Sequence, residues 1–275
     1  MGDLGSGATS IVKLGESKET KSKVAIKCIT EATHPSFRSN TTKVIGDILK
    51  ACSHPNIATL VDLFEEKEGL FVVLELYAGP LTKVLQQSQN LVWTEKDACR
   101  IITQILETTQ YIHSLGIIHG DLTTGNILSA DANATQIKIS GFTKAQKEET
   151  ESDIFCEPYF KAPELLEGKK HGKSVDLWAI GCMSFLLLSG KYPFADSNLM
   201  RLNANIKNGK FEFAESDWAK VDPKAKEFVK GLLNVNPQER TTMEKALQDP
   251  WITGGGSGEV LTAFAVNLKG NKFTH

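Results

Sequence analysis

The chain has 275 residues, of which 41% are hydrophobic and 23% charged, and its net charge is −2 at pH 7. This length is sufficient for two lobes or for one large domain. Lysines and glutamates are interspersed along the chain, so the charge pattern gives no reason to expect nucleic acid as a partner. The most apolar run, residues 177–188, is too short to cross a bilayer. It predicts a buried helix, and we expect no membrane partner.

The five cysteines are widely scattered, and none forms a C-x-x-C pair, which argues against a zinc site. Their odd number and the absence of a secretory leader indicate a reducing compartment. We therefore expect a cytoplasmic protein in which the cysteines are small buried side chains.

A glycine-rich turn opens the chain at residues 4–12, where Gly5 and Gly7 precede β-branched residues. Such a turn is usually a simple hairpin, but its backbone N–H groups can also hold phosphate. A Rossmann fingerprint is not supported, because Ser10 stands at the third glycine position and a strand follows.

Residues 23–29 alternate as a strand, with Lys27 on the face opposite Val24, Ile26 and Cys28. A strand lysine is normally solvated, but the glycine turn upstream favours a ligand-binding role. The pattern then predicts a helix from Thr41 to Cys52, ended by the residues before Pro55. Two further strands are predicted, and they cover residues 57–65 and 70–76.

A capping box at Thr94 and Asp97 predicts a long amphipathic helix that ends near Gly116. It leads into two short loops separated by apolar strands at residues 117–118 and 137–139. The first loop contains His119, Asp121 and Asn126, and the second is Ser140-Gly141-Phe142-Thr143. By themselves, Asp and Asn in such loops are equally typical of Asx turns.

Together these motifs resemble a protein kinase domain. The chain contains V-A-I-K at residues 24–27, matches H-R-D-L-x-x-x-N at His119, Asp121, Leu122 and Asn126, and contains A-P-E at residues 162–164. The resemblance places Arg240 to pair with Glu164, and Asp176 to bind the backbone of the first loop. It implies an α+β, bilobal fold with a small antiparallel sheet and one main helix in the N-lobe, and a mostly helical C-lobe. The implied ranges are 1–76 for the N-lobe, 77–253 for the C-lobe and 254–275 for a linker and tail.

The resemblance also implies an ATP site and assigns its residues. Asp121 takes the catalytic-base position and Asn126 a metal-binding position, while Leu74 is the gatekeeper and residues 75–77 are the hinge. The implied ATP-binding residues are Gly5, Gly7, Val12, Ala25, Lys27, Leu74, Glu75, Tyr77 and Leu128.

Among kinases, the chain most resembles the calcium/calmodulin-dependent group, on the end of its glycine turn and on His54-Pro55-Asn56-Ile57. The tail at residues 259–273 is similar to the autoinhibitory junction of calcium-dependent protein kinases. No twelve-residue EF-hand loop exists in this sequence, so EF-hand or calmodulin regulation would lie outside this chain. The alternative is that the tail is simply a helix docked on the second lobe.

The departures from the family pattern concern metal and phosphate. Gly141 replaces the Mg²⁺-chelating aspartate, Thr123 replaces the γ-phosphate lysine, and Ile45 replaces the glutamate that pairs with the strand lysine; Asp47 would point elsewhere. Gly120 replaces an arginine and Glu157 a threonine. Losing one preorganised electrostatic group costs about 2.7–4 kcal/mol of barrier, and a lone asparagine is a weak ligand for Mg²⁺. We therefore predict a pseudokinase that binds ATP, with poor Mg²⁺ binding, with His119 and Phe142 in structural roles.

Three hypotheses follow from these residues. The first is a catalytically impaired domain that acts as a regulatory or scaffolding partner of another protein. The second is a weak serine/threonine kinase with altered metal use, because Lys27, Asp121 and Asn126 remain. The third is an interaction module whose cleft is filled by its own side chains or tail.

Overall fold

A computed structural model describes residues 2–7, 10–30, 46–89, 91–147 and 157–270. Its first part is a five-stranded antiparallel sheet with strand order β1-β2-β3-β5-β4. The strands are β1 (Asp3–Gly7), β2 (Ser10–Glu16), β3 (Lys23–Thr30), β4 (Leu60–Glu66) and β5 (Gly69–Glu75). In the central strand, Lys27 pairs with Val12 on one side and Val72 on the other. The predicted glycine hairpin and lysine strand are confirmed.

Helix α1 covers residues 46–51 of the described chain. The predicted helix started at Thr41, which lies outside the described residues, and Cys52 falls just beyond the helix. The strand predicted from Ile57 begins only at Leu60. Ile57 instead bridges to Ile139, and the Ala58 N–H donates to the Ile139 carbonyl at 2.9 Å. This segment therefore connects the sheet to the loops of the second part.

The second part is helical and contains two 3-10 helices, Phe142–Lys144 and Pro158–Phe160. Its α-helices are α2 (Leu81–Gln87), α3 (Glu95–Ser114), α4 (Pro163–Leu166), α5 (Ser174–Ser189), α6 (Leu199–Lys207), α7 (Glu215–Trp218), α8 (Pro223–Leu232), α9 (Met243–Leu247), α10 (Pro250–Gly254) and α11 (Thr262–Gly270). Thr94 and Asp97 form the predicted capping box at the start of α3. Helix α5 is buried from Val175 to Ser189, as expected from its continuous apolar sequence. Among the described helices, none is both long and apolar enough to span a membrane.

Five short strands hold the two loops that the sequence singled out. They are β6 (Gly79–Pro80), β7 (Ile117–Ile118), β8 (Ile127–Ser129), β9 (Ile137–Ile139) and β10 (Gln146–Lys147). β6, β8 and β9 form one small antiparallel sheet, and β7 pairs with β10. The first loop therefore lies between β7 and β8, and the second between β9 and β10.

The tail packs against the helical part as α11. Phe264 is fully buried and stacks on Trp93, with ring centroids 5.2 Å apart. Gln86 donates to the Leu268 carbonyl at 2.8 Å. Gly190, with φ of 76°, ends α5 where a Cβ atom would lie 2.6 Å from the Phe264 carbonyl oxygen. The tail thus adopts the docked-helix alternative. The similarity to an autoinhibitory junction and the exact lobe boundaries remain predictions.

Candidate functional site

A cleft of about 730 Å³ lies between the sheet and the two loops. Its lining includes ten residues that the sequence assigned to catalysis or ATP: Gly5, Val12, Ala25, Lys27, Leu74, Glu75, Tyr77, Asp121, Asn126 and Leu128. Gly7 pairs with Ser10 near the tip of the hairpin, and its assignment to ATP remains a prediction. The cleft is open, which counts against the hypothesis that side chains or the tail fill it.

Asp176 fixes the backbone of the first loop, as predicted. Its buried carboxylate accepts hydrogen bonds from the backbone N–H groups of His119 and Gly120, both at 2.9 Å. It also lies 2.8 Å from Nε2 of His113. Burial alone would raise the pKa of Asp176, but the His113 hydrogen bond and these neighbours hold it below its usual value. The loop is therefore anchored by a buried carboxylate that stays ionised.

His119 is a structural residue in this arrangement. Its Nε2 lies 3.0 Å from the Ser140 carbonyl oxygen, and its Nδ1 accepts the Asp121 N–H at 3.2 Å. The ring centroids of His119 and Phe142 lie 4.8 Å apart in an edge-to-face arrangement. Burial lowers the pKa of His119, outweighing the carboxylates of Asp176 and Asp121. A neutral imidazole that donates from Nε2 and accepts at Nδ1 satisfies both contacts.

Asp121 is engaged on both carboxylate oxygens. Lys144 Nζ lies 3.1 Å from its Oδ1, and Asn126 Nδ2 donates to its Oδ2 at 2.9 Å. The same Asn126 nitrogen lies 2.8 Å from the Asp121 carbonyl oxygen. The asparagine is therefore turned onto the catalytic-base position.

Gly141 permits this placement of Asn126. Its backbone is left-handed, with φ of 86° and ψ of 31°. A Cβ atom at position 141 would lie 2.2 Å from Cγ and Oδ1 of Asn126. The Asn126 side chain thus occupies the space into which any side chain at position 141 would begin to extend. The absence of a carboxylate and the inward turn of Asn126 go together.

Glu157 faces Asp121 across the cleft. Burial, with a smaller contribution from the Asp121 carboxylate, raises the pKa of its carboxyl to about 7, against the opposing effects of the Tyr192 hydrogen bond and of Lys144. Tyr192 hydrogen-bonds to Glu157. Cys156, which the sequence placed beside it, lies outside the described residues. The cleft therefore holds a second carboxyl group, whose ionisation is disfavoured by burial.

Lys27 is half-buried at the back of the cleft. Burial lowers the pKa of its ammonium, partly offset by Asp121, and Lys144 lowers it further. It makes no ion pair within the described part of the chain. Asp47 is exposed on α1, as expected from its position, and Ile45 lies outside the described residues.

Two cleft residues were missed or undervalued in the sequence. Lys144 was not assigned a role, although a basic residue three positions after a lost carboxylate is a visible signal. Glu157 was noted only as a replacement, and its proximity to Asp121 depends on how the chain folds after residue 156.

A buried ion pair stabilises the helical part. Arg240 forms a bidentate pair with Glu164, at 2.7 and 2.9 Å, and donates to the Ser174 carbonyl at 2.8 Å. Its guanidinium lies 5.0 Å from the centre of the Trp178 ring. The predicted pairing of Arg240 with Glu164 is confirmed.

The cleft, the loop order and this framework agree with comparisons to known proteins. The family model described as protein kinase domain matches residues 1–252 of this chain. The chain belongs to the protein kinase domain family. It is 37% identical over 258 residues to calcium/calmodulin-dependent protein kinase type 1B of Rattus norvegicus, covering 91% of this chain and 74% of that protein. It is 36% identical over 263 residues to calcium/calmodulin-dependent protein kinase type 1 of Macrobrachium nipponense, covering 92% and 74%.

The chain is thus a serine/threonine protein kinase domain of the calcium/calmodulin-dependent group, and the predicted bilobal fold is confirmed. A kinase domain implies ATP and usually Mg²⁺. The cleft fits ATP, since its volume, its apolar walls at Val12, Ala25 and Leu128, and its half-buried lysine suit a nucleotide.

Asn126 is the residue at a family metal position whose side chain could offer an oxygen to Mg²⁺. Mg²⁺ requires several hard oxygen donors in near-octahedral geometry. Here Asn126 presents its NH₂ group to Asp121, and position 141 has no side chain.

Proposed function

We propose that this kinase domain is a pseudokinase that binds ATP, transfers phosphate poorly or not at all, and acts as a regulatory or scaffolding partner of another protein. One observation carries the proposal: with no carboxylate at position 141, Asn126 turns onto Asp121. Phosphoryl transfer depends on electrostatic stabilisation of the moving phosphoryl group, which is the largest catalytic effect in most enzymes.

Membership of the kinase family is compatible with a pseudokinase. The residues that line the nucleotide cleft and the residues that stabilise the fold are separate from the residues that hold metal. Lys27 and the glycine hairpin line the cleft, and the Arg240–Glu164 pair holds the helical lobe. Cys28, Cys52 and Cys99 are thiols outside any disulfide, which supports a reducing compartment such as the cytoplasm.

The test is phosphoryl transfer from ATP to peptides and to the protein itself, with Mg²⁺ or Mn²⁺ present. The matched control is Asp121→Asn, which removes the base position. We expect the native sequence to transfer no more phosphate than this variant. Transfer that Asp121→Asn abolishes would contradict the proposal.

The second candidate is a weak serine/threonine kinase with altered metal use. It is favoured by the presence of Lys27 and Asp121 in the same open cleft. A rate that depends on Asp121 and that appears only with one metal would select this candidate. If ATP leaves the melting temperature unchanged with every metal and without metal, this candidate is excluded.

A further inference from the structure

Lys144 lies where the sequence pattern gives no role to a lysine. It ends the 3-10 helix that follows Gly141, and it lines the cleft together with Lys27. Its ammonium contacts Asp121 at 3.1 Å, and the two side chains are only 11% and 10% exposed. Exposed ion pairs contribute little free energy, but this pair is largely withdrawn from water. The Lys144–Asp121 pair is therefore a feature of the cleft and not of the exposed surface.

Two lysines approach the same region of the cleft from different elements. Lys27 extends from β3, whereas Lys144 comes from the loop after β9, and each is close enough to Asp121 to interact with it electrostatically. Like charges repel, and the Lys144 ammonium accordingly lowers the pKa of Lys27. An anion bound between the two ammonium groups would relieve that repulsion.

We propose that Lys144 is a phosphate-binding residue whose ammonium provides the positive charge that a divalent ion provides in kinases with a carboxylate at position 141. The ligand class is a nucleoside triphosphate, bound without metal. This inference rests on the proposed ATP binding and adds the residue that makes that binding independent of metal.

The chemistry of the two cations explains why a lysine can serve here. An ammonium group donates up to three hydrogen bonds and carries its charge without an octahedral set of ligands. It can contact Asp121 on one side and a phosphate oxygen on the other. Asn126 can then keep its hydrogen bonds to Asp121, and no side chain is needed at position 141.

A plainer role is also open to Lys144, since it could act only by neutralising Asp121. The two roles differ when Asp121 is removed. A neutralising lysine becomes dispensable in an Asp121→Asn background. A lysine that contacts phosphate directly still contributes to ATP binding in that background.

The experiment measures ATP and adenosine affinity by calorimetry in excess EDTA. The variants are Lys144→Met, Asp121→Asn and the double variant, with Lys147→Met as matched control, because Lys147 is exposed in β10. We expect Lys144→Met to weaken ATP binding about 10- to 100-fold, the range of one charged hydrogen bond. Adenosine affinity should be unchanged, which also shows that the variant is folded, and Lys147→Met should bind both ligands normally.

The double variant decides between the two roles of Lys144. ATP binding to it that is weaker than to Asp121→Asn supports the inference, and equal binding overturns it. Equal ATP affinity of Lys144→Met and the native sequence overturns the inference alone, leaving the proposed ATP binding intact. If the native sequence binds adenosine but gains nothing from the phosphates in EDTA, the inference is also wrong. No binding of either ligand refutes the proposed ATP binding itself.

Discussion

Gly141 changes the site in two ways, because it removes a carboxylate and also opens space for a neighbouring amide. The Asn126 side chain fills that space and bonds to Asp121. Any side chain at position 141 would have to displace Asn126 and adopt a left-handed backbone, which costs a non-glycine residue roughly 1–2 kcal/mol. The glycine therefore stabilises one arrangement of the loop, and in that arrangement Asp121 is held by Lys144 and Asn126.

Glu157 gives the cleft a pH dependence near neutrality. The groups that face it are Asp121, Lys144 and Tyr192, and the pKa of its carboxyl is raised from 4.5 to about 7. As pH falls from 8 to 6, the carboxylate becomes neutral and stops repelling bound phosphate. We predict tighter ATP binding at pH 6 than at pH 8, with a difference on the order of tenfold attributable to Glu157.

Calorimetry on the native sequence and on Glu157→Gln tests this prediction, and the titration of ATP itself is common to both proteins. At pH 8 Glu157→Gln should bind ATP more tightly, and at pH 6 the two should converge. Parallel pH profiles would show that Glu157 does not titrate in this range. The raised pKa also means that the contribution of Glu157 to stability is full below about pH 4.5 and is lost as pH rises through 7.

The sequence predicts such residues only in part. Asp121, Asn126 and Gly141 stand at fixed distances in a loop motif, so their neighbourhood could be inferred from spacing. Lys144 could not be assigned in the same way, because its role depends on the direction in which a short 3-10 helix turns its last side chain. The proximity of Glu157 to Asp121 likewise arises from a long-range contact.

At the scale of elements, the anchors of the two loops are independent of metal chemistry. Asp176 at the start of α5 binds the backbone of the first loop, and Arg240 pairs with Glu164 of α4. Breaking a buried pair of this kind typically costs 3–5 kcal/mol. These contacts explain how the helical lobe keeps a kinase architecture without the carboxylate at position 141.

The tail helix α11 is part of the folded helical lobe. We therefore predict that a substitution on its buried face lowers the free energy of unfolding strongly. Phe264 is fully buried against Trp93, whereas Val266 on the same helix is 72% exposed. We expect Phe264→Ala to lower the free energy of unfolding by about 3–5 kcal/mol. Val266→Ala should change it by no more than about 0.5 kcal/mol.

Urea unfolding measures both variants under identical conditions. Similar small effects of the two substitutions would mean that the helix does not pack on the lobe in solution. The sequence showed near-helical spacing in this segment but could not choose between a docked helix and a junction-like segment. The tail helix docks against Trp93, Gln86 and Gly190, and these residues are distant in sequence from the tail.

Strand boundaries show the same limit. The alternation of apolar residues located β3 and β5 closely, because both lie inside the sheet. It placed the start of β4 three residues too early. Ile57 does not belong to β4, because it bridges to Ile139 in the other lobe. Short strands such as β8 are defined by their partners more than by their own sequence.

For the whole molecule, the fold and the cleft are those of a protein kinase domain, while glycine stands at position 141, where the family pattern has a metal-chelating aspartate. The cleft retains its walls and its strand lysine, and a second lysine enters from the loop after Gly141. We therefore propose that nucleotide binding and phosphoryl transfer are separate in this domain, and that ATP binds to it without a divalent metal.

The most direct test is the affinity of the native sequence for ATP, measured by calorimetry in EDTA, in Mg²⁺ and in Mn²⁺. We predict clear binding in EDTA and no gain in affinity when either metal is added. Binding that is absent in EDTA, or that tightens tenfold or more with Mg²⁺, a gain of about 1.4 kcal/mol, would contradict this prediction.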